Sequence, residues 1–245
     1  MARPINLLPS CLLVFIGAWA GVGHALRPLL LPAVWLMALL SGGVAVASCV
    51  VNDYFDLRSD TINAPHKPLP SGIVPPDGAL LLASSVYIAV LVAACLMEPP
   101  LLRAIIAFSA AATLLYTPLL KRITGIKTAT VAAIIALSPV SGALAAGAGW
   151  AGVCATAAPA AFAFLAMAHR ETLMDLNDVA GDRAAGVWTL PVVAGPRAAL
   201  ATTAVLLAGA AAVAIGAALL GSGLAWAWAR NPAAEGDAIR VSIDR

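Results

Sequence analysis

Asn52-Asp53-Tyr54-Phe55-Asp56-Leu57-Arg58-Ser59-Asp60 follows directly on the apolar run 29–51. Three carboxylates at the end of a stretch long enough to cross a membrane are costly unless a cation holds them. The chain does this twice: Asp175, Asp178 and Asp182 repeat the spacing of Asp53, Asp56 and Asp60, offset by 122 residues. On an ideal helix, at about 100° per residue, an i, i+3, i+7 set covers an arc of only about 60°. Each set follows an even-numbered apolar span, and each leads into a stretch rich in Pro and Gly, at 62–72 and at 189–196. Elsewhere the halves share little at that offset. A four-span repeat and a convergent use of one device both stay open.

Six aligned carboxylates cannot all ionise at close quarters without a counter-charge. Hard divalent cations take carboxylate oxygens, and Mg²⁺ usually shares one or two carboxylates with substrate phosphates. Two facing sets therefore suit a diphosphate held between metal ions. The plainer alternative is solvated loop acids neutralised by Arg58, Arg170 and Arg183. It accounts for one set more readily than for two with the same spacing.

Composition sets the fold class. The 245 residues are 62% apolar and only 11% charged, with a mean hydropathy of +0.95. A soluble domain is about half apolar and about a quarter charged. The expected fold is therefore all-α, a polytopic transmembrane helical bundle with a lipid-facing central cavity. The many Ala and Gly let its helices approach closely. The alternating segments of a membrane barrel are absent. A net charge of +2 gives no footing for nucleic acid. Cys11, Cys49, Cys95 and Cys154 stand singly in apolar runs, without the spacing of a zinc or redox pair.

About seven spans are expected, near 7–23, 29–51, 79–97, 100–120, 128–148, 151–168 and 198–228. The connections alternate between two sides. One side carries Arg3, Arg58, Lys67, Lys121, Arg122, Lys127, Arg170, Arg183 and Arg197; the other carries Arg27 and Arg103. That imbalance puts the first side, with both acidic sets, on the cytoplasmic or equivalent face. The basic tail residues fall on the other side and weaken the count slightly. The sequence names no organelle.

The stretch Asn52-Asp53-Tyr54-Phe55-Asp56-x-x-x-Asp60-x-Ile62-Asn63-x-Pro65-x-Lys67-Pro68-Leu69-Pro70-Ser71-Gly72 resembles the first motif of the UbiA superfamily of intramembrane prenyltransferases. Asp175-x-x-Asp178-Val179-Ala180-Gly181-Asp182-Arg183 resembles the second, and Tyr116-Thr117-Pro118-Leu119-Leu120-Lys121-Arg122 the end of the fourth helix. The likeness covers about residues 5–220 in order and spacing. It implies Mg²⁺-dependent transfer of a polyprenyl group from its diphosphate to an aromatic, tetrapyrrole or lipid acceptor within the bilayer. It implies metal-binding roles for Asn52, Asp56 and Asp60 with Asp53 beside them, and for Asp178 and Asp182 with Asp175 one turn earlier. Tyr116 matches a tyrosine near the ionising carbon and Lys121 a basic residue near the diphosphate.

The residues support the same chemistry. Lys67, Lys121, Arg122 and Arg183 can add charge-assisted bonds to a departing diphosphate, and the Tyr116 ring face can stabilise an allylic cation. Lys121 and Arg122 also read as positive-side anchors, and Arg183 as a partner for Asp182. Lys67 stands where Arg is common in the family; it is a point charge without the bidentate fork. The motif wording is nearest to the branch of chlorophyll synthases and geranylgeranylglycerol phosphate geranylgeranyltransferases, which favours a geranylgeranyl or phytyl diphosphate donor and a hydrophobic acceptor. The family commonly has nine spans. One domain over 1–228, short at its C-terminal end and followed by a polar tail at 229–245, is expected. Two other readings are weighed: an inactive homologue serving as a membrane scaffold, and a transporter, which places charges deep inside its spans.

Overall fold

The computed structural model describes the backbone over residues 4–115 and 123–230, and side chains over 8–115 and 123–220. The described residues form helices and turns only. In chain order the α-helices are α1 (Pro4–Gly21), α2 (Pro32–Phe55), α3 (Leu57–Asn63), α4 (Pro76–Ala94), α5 (Pro100–Leu115), α6 (Ile126–Ala145), α7 (Trp150–Ala155), α8 (Ala157–Asn177), α9 (Val179–Ala185) and α10 (Leu190–Arg230), with a short 3-10 helix, Arg27–Leu30, between α1 and α2. Among the described residues, five stretches are long and apolar enough to cross a membrane: Pro32–Phe55, Pro76–Ala94, Ile126–Ala145, Trp150–Asn177 and Leu190–Leu220. The shorter apolar helices Leu8–Gly21 and Pro100–Leu115 complete the seven segments expected from hydropathy. The sixth runs further than expected, because α7 and α8 are separated only at Thr156. The last begins earlier and is kinked at Gly195, whose φ of 84° is followed by Pro196. Proline removes a backbone donor and crowds the preceding turn.

Helix α1 is central. It packs on α2 and α6; α8 packs on α6, α10 on α8, and α4 and α5 on α2. The core holds fully buried Val14, Val34, Val50 and Leu102. Many large apolar side chains face outward instead, including Leu81, Ile88, Val205 and Leu220. In water such a surface would associate; in lipid it needs no cover, because acyl chains are as apolar as Leu.

Small residues decide where helices touch. A Cβ added to Gly17 would lie 1.8 Å from the Pro139 carbonyl oxygen, and one added to Gly142 would lie 1.9 Å from that of Val14. The α1 and α6 backbones are thus in van der Waals contact at two reciprocal points. Pro139, in the middle of α6, is seated there. Its missing N–H is tolerated in a bundled helix where neighbours and local adjustment satisfy the freed carbonyl.

The ideal-helix picture of the acidic sets fails at the middle acid of each. Helix α2 ends at Phe55, Asp56 takes φ −88° and ψ 2°, and α3 begins at Leu57. Helix α8 ends at Asn177, Asp178 takes φ −99° and ψ 5°, and α9 begins at Val179. Both motifs are helix–break–helix units with the same acid at the break. The near-zero ψ turns the chain while the backbone stays hydrogen-bonded: the amides of Asp60 and Asp182 still donate to the carbonyls of Asp56 and Asp178, at 2.7 and 2.9 Å.

Candidate active site

The first and third acids of each motif are buried: Asp53, Asp60, Asp175 and Asp182. The middle acids, Asp56 and Asp178, are half-buried at the breaks. The motif helices α3 and α9 pack directly on each other, so the two sets meet. Asn63 joins them. Its Nδ2 donates to the Asp178 carbonyl oxygen at 3.0 Å, and its Oδ1 accepts from the Gly181 amide at 2.9 Å. Ser59 Oγ donates to Asp182 Oδ1 at 3.4 Å. A Cβ on Gly181 would lie 2.4 Å from Asn63 Nδ2 and 2.7 Å from the Ser59 carbonyl oxygen, so the contact requires glycine.

This clamp gives a stability prediction. Asn63→Ala leaves the buried Gly181 amide without its side-chain acceptor, which costs about 1–3 kcal/mol; the Asp178 carbonyl keeps the Asp182 amide. The expected result is a lower thermal unfolding midpoint in detergent. A midpoint equal to the parent's would show that Asn63 holds nothing.

Electrostatics agree that the sets face each other. Burial pushes the Asp60 carboxyl above its ordinary value. The hydrogen bond and charge of Lys67 lower it, while the charges of Asp53 and Asp178 raise it further. Asp178 of the second motif is therefore within electrostatic reach of the first. Lys67 Nζ donates to both Asp60 oxygens at 2.7 Å and to Asp53 Oδ1 at 3.4 Å. Lys127, at the start of α6, donates to Asp175. The α6 N-terminus thus lies at the same end as both motifs, in agreement with the loop-charge reading.

Beneath these groups is a cavity of about 640 Å³. Asn52, Asp53, Asp56, Asp60, Asp178 and Asp182 line one end together with Lys67. The rest is mostly apolar, with Leu13, Ile16, Ile135, Phe162 and Met167 among its walls. Asp175 is not in the lining; it supports the wall from behind through Lys127. Arg183 is exposed on α9 and also outside the lining, so the structure does not bring it to the cavity with the others. Tyr116, Lys121 and Arg122 lie outside the described residues.

The donor set fits Mg²⁺. Among the described residues no three His, Cys, Asp or Glu converge closely enough to cage a metal unaided. That suits an ion that draws only one or two carboxylates from protein and the rest from phosphate and water. Asn52 Nδ2 donates to Asp56 Oδ2 at 2.8 Å, while Asn52 Oδ1 is buried and accepts no hydrogen bond. A neutral hard oxygen left so beside the acids is a ready ligand atom.

Comparison with known proteins gives the family. The UbiA prenyltransferase family matches residues 8–231. The chain belongs to the UbiA prenyltransferase family. It is an integral membrane enzyme of prenyl transfer. Over 198 residues it is 41% identical to a digeranylgeranylglyceryl phosphate synthase of Halobacterium salinarum, a match covering 79% of this chain and 67% of that one. A digeranylgeranylglyceryl phosphate synthase of Natronomonas pharaonis is 37% identical over 193 residues with the same coverage. An apo UbiA homologue from Aeropyrum pernix K1 shares the fold at a TM-score of 0.73 and 23% identity, over 87% of this chain and 78% of that one. A UbiA homologue from Archaeoglobus fulgidus bound to DMAPP and Mg²⁺ does so at 0.64 and 20%, over 87% and 75%. In this UbiA enzyme, sequence reasoning missed three groups at the site. Asn63 was visible only as motif wording, and Lys127 only as a topological charge. Glu171 lies four residues before Asp175, on the face of the second acidic set, a spacing that could have pointed to it.

Proposed function

We propose that this prenyltransferase transfers a geranylgeranyl group from its diphosphate to the hydroxyl of a glycerol-phosphate lipid, with Mg²⁺ held by Asn52, Asp56 and Asp60 on one side and Asp178 and Asp182 on the other. One observation carries the reading: both acidic motifs share the end of a single cavity whose remaining walls are apolar. The identity to curated digeranylgeranylglyceryl phosphate synthases favours this donor and acceptor over phytyl, tetrapyrrole or aromatic substrates.

Bound Mg²⁺ supplies positive charge to the diphosphate as it leaves. The chain's own residues do the rest. Lys67, between Asp53 and Asp60, adds charge-assisted bonds to the same leaving group. Leu13, Ile16, Phe162 and Met167 enclose the isoprenoid chain and exclude water from the allylic cation. Tyr116 stabilises that cation through its ring, and Lys121 and Arg122 hold the diphosphate. Arg183, exposed on α9, stands outside the cavity. The motif end faces the cytoplasmic or equivalent side.

The test is incubation of purified protein with Mg²⁺, geranylgeranyl diphosphate and a panel of acceptors: a geranylgeranylglycerol phosphate, a chlorophyllide and a hydroxybenzoate. Mass spectrometry should show prenylated lipid phosphate, and chelation of the metal should abolish it. Product with the tetrapyrrole or the aromatic acid alone would reject the proposed acceptor. No product with any of them would reject the donor.

A further inference from the structure

Three charged residues of the cavity lining belong to neither motif: Lys127, which is engaged by Asp175, and the pair Arg170 and Glu171. Arg170 and Glu171 lie on α8, inside the Trp150–Asn177 stretch long enough to span a membrane. Glu171 precedes Asp178 by seven residues, which at about 1.5 Å per residue places it roughly 10 Å further into the bundle. Both side chains line the cavity. Arg170 Nη1 donates to Glu171 Oε1 at 2.8 Å. The Glu171 side chain is sheltered, 14% exposed, and that of Arg170 reaches open space, at 42%.

Charges inside a span are expensive and are kept for function. A structural ion pair would tie α8 to another helix. This one joins sequence neighbours, and among the described residues neither partner makes a hydrogen bond or ion pair to another helix. Its contribution to tertiary stability is therefore small. What it does is place one carboxylate and one guanidinium on the cavity wall, below the end that receives the diphosphate.

Resting on the prenyl-transfer reading above, we propose that Arg170 and Glu171 form the acceptor subsite: Arg170 binds the acceptor's phosphate, and Glu171 is the catalytic base for its hydroxyl. The allylic C1–O bond breaks and its electron pair leaves with the diphosphate. A lone pair of the acceptor oxygen forms the new C–O bond at C1. The acceptor O–H bond breaks and its proton passes to the Glu171 carboxylate. The planar guanidinium suits a phosphate monoester, and Glu171 beside it meets a hydroxyl of the same small head group. An apolar cavity raises the strength of both contacts, since the field of each charge is less screened there.

The test compares Glu171→Gln and Arg170→Gln with the parent in purified full-length protein. Donor binding is followed separately, with a non-hydrolysable geranylgeranyl diphosphate analogue and Mg²⁺. A positioned base contributes about 10²–10⁴-fold. Glu171→Gln should thus lower kcat by at least about 100-fold, leave the analogue's Kd unchanged and remove the acidic limb of the pH–rate profile. Glu171→Asp should restore part of the rate. Arg170→Gln should raise the KM for the lipid phosphate by about tenfold or more, the loss expected for one charge-assisted contact, with a smaller change in kcat. Parental turnover in Glu171→Gln, or an equal loss of analogue binding, would overturn the proposal while leaving prenyl transfer intact. A parent enzyme without transfer to any acceptor would reject the reading beneath it as well.

Discussion

Replacing Asp56 or Asp178 with alanine is expected to reduce prenyl transfer by about 10³-fold or more, with the protein still folded and inserted. Charge growing on a leaving group in a water-poor site is where fixed countercharge counts most; losing one such stabiliser typically costs about 10²–10³-fold. At 1.36 kcal/mol per factor of ten, a 10³-fold loss is about 4 kcal/mol. These two acids are the diagnostic ones because of where they stand. Asp53, Asp60, Asp175 and Asp182 are buried, so truncating them also disturbs packing. Asp56 and Asp178 are half-buried at the helix breaks, and the breaks are held largely by backbone. The Asn63 contact goes to the Asp178 carbonyl, which alanine retains. Turnover should fall in both variants, while the unfolding midpoint stays close to the parent's for Asp178→Ala and drops modestly for Asp56→Ala, which loses the Asn52 hydrogen bond. Full activity in both would remove the metal–diphosphate assignment altogether.

Valine at Gly142 should have the largest effect on stability. Even a single Cβ there would meet the Val14 carbonyl oxygen at 1.9 Å and the Ala18 amide nitrogen at 3.0 Å. A side chain could rotate away; two helix backbones cannot. Ordinary overpacking costs about 1–3 kcal/mol, and a backbone overlap on this scale belongs at or above the top of that range. For a chain of this size, a loss of about 3 kcal/mol lowers the thermal midpoint by on the order of 10 °C. The damage would reach function, because α1 and α6 both line the cavity through residues such as Ile16 and Ile135. Gly216→Ala is the control. Nothing lies within 4 Å of its added Cβ, and helix propensity there favours alanine. If Gly142→Val and Gly216→Ala melt alike in detergent, the α1–α6 contact is not what holds the bundle.

Several site features were legible early because they are local. The spacing of Asp53, Asp56 and Asp60, and its recurrence at Asp175, Asp178 and Asp182, depends on nothing but neighbours in the chain. The helix break at each middle acid was not legible, since the local residues are compatible with a continuous turn. It is the packing of α3 against α9, through Gly181 and Asn63, that accompanies the bend. Lys127 showed only as a positive charge near a span end, because its partner Asp175 is 48 residues away. Arg183 looked as good a ligand for phosphate as Lys67. Their placement separates them: Lys67, in the loop after α3, is turned onto Asp53 and Asp60, and Arg183, on α9, is exposed.

The amino-acid order alone determined that the chain lives in lipid, that it carries two matched acidic motifs at span ends, and that they lie at one face. Apolar length and residue spacing carry those facts without reference to distant contacts. Tertiary structure alone decided that Asn63 bridges the motifs, that Asp175 braces the wall rather than lining it, and that Arg170 and Glu171 look into the cavity. The physical reason is that in a bundle of Ala- and Gly-rich helices the apolar pattern is nearly uniform around each helix. Which face turns inward is then set by where small residues let two backbones touch, and that is a property of pairs of helices.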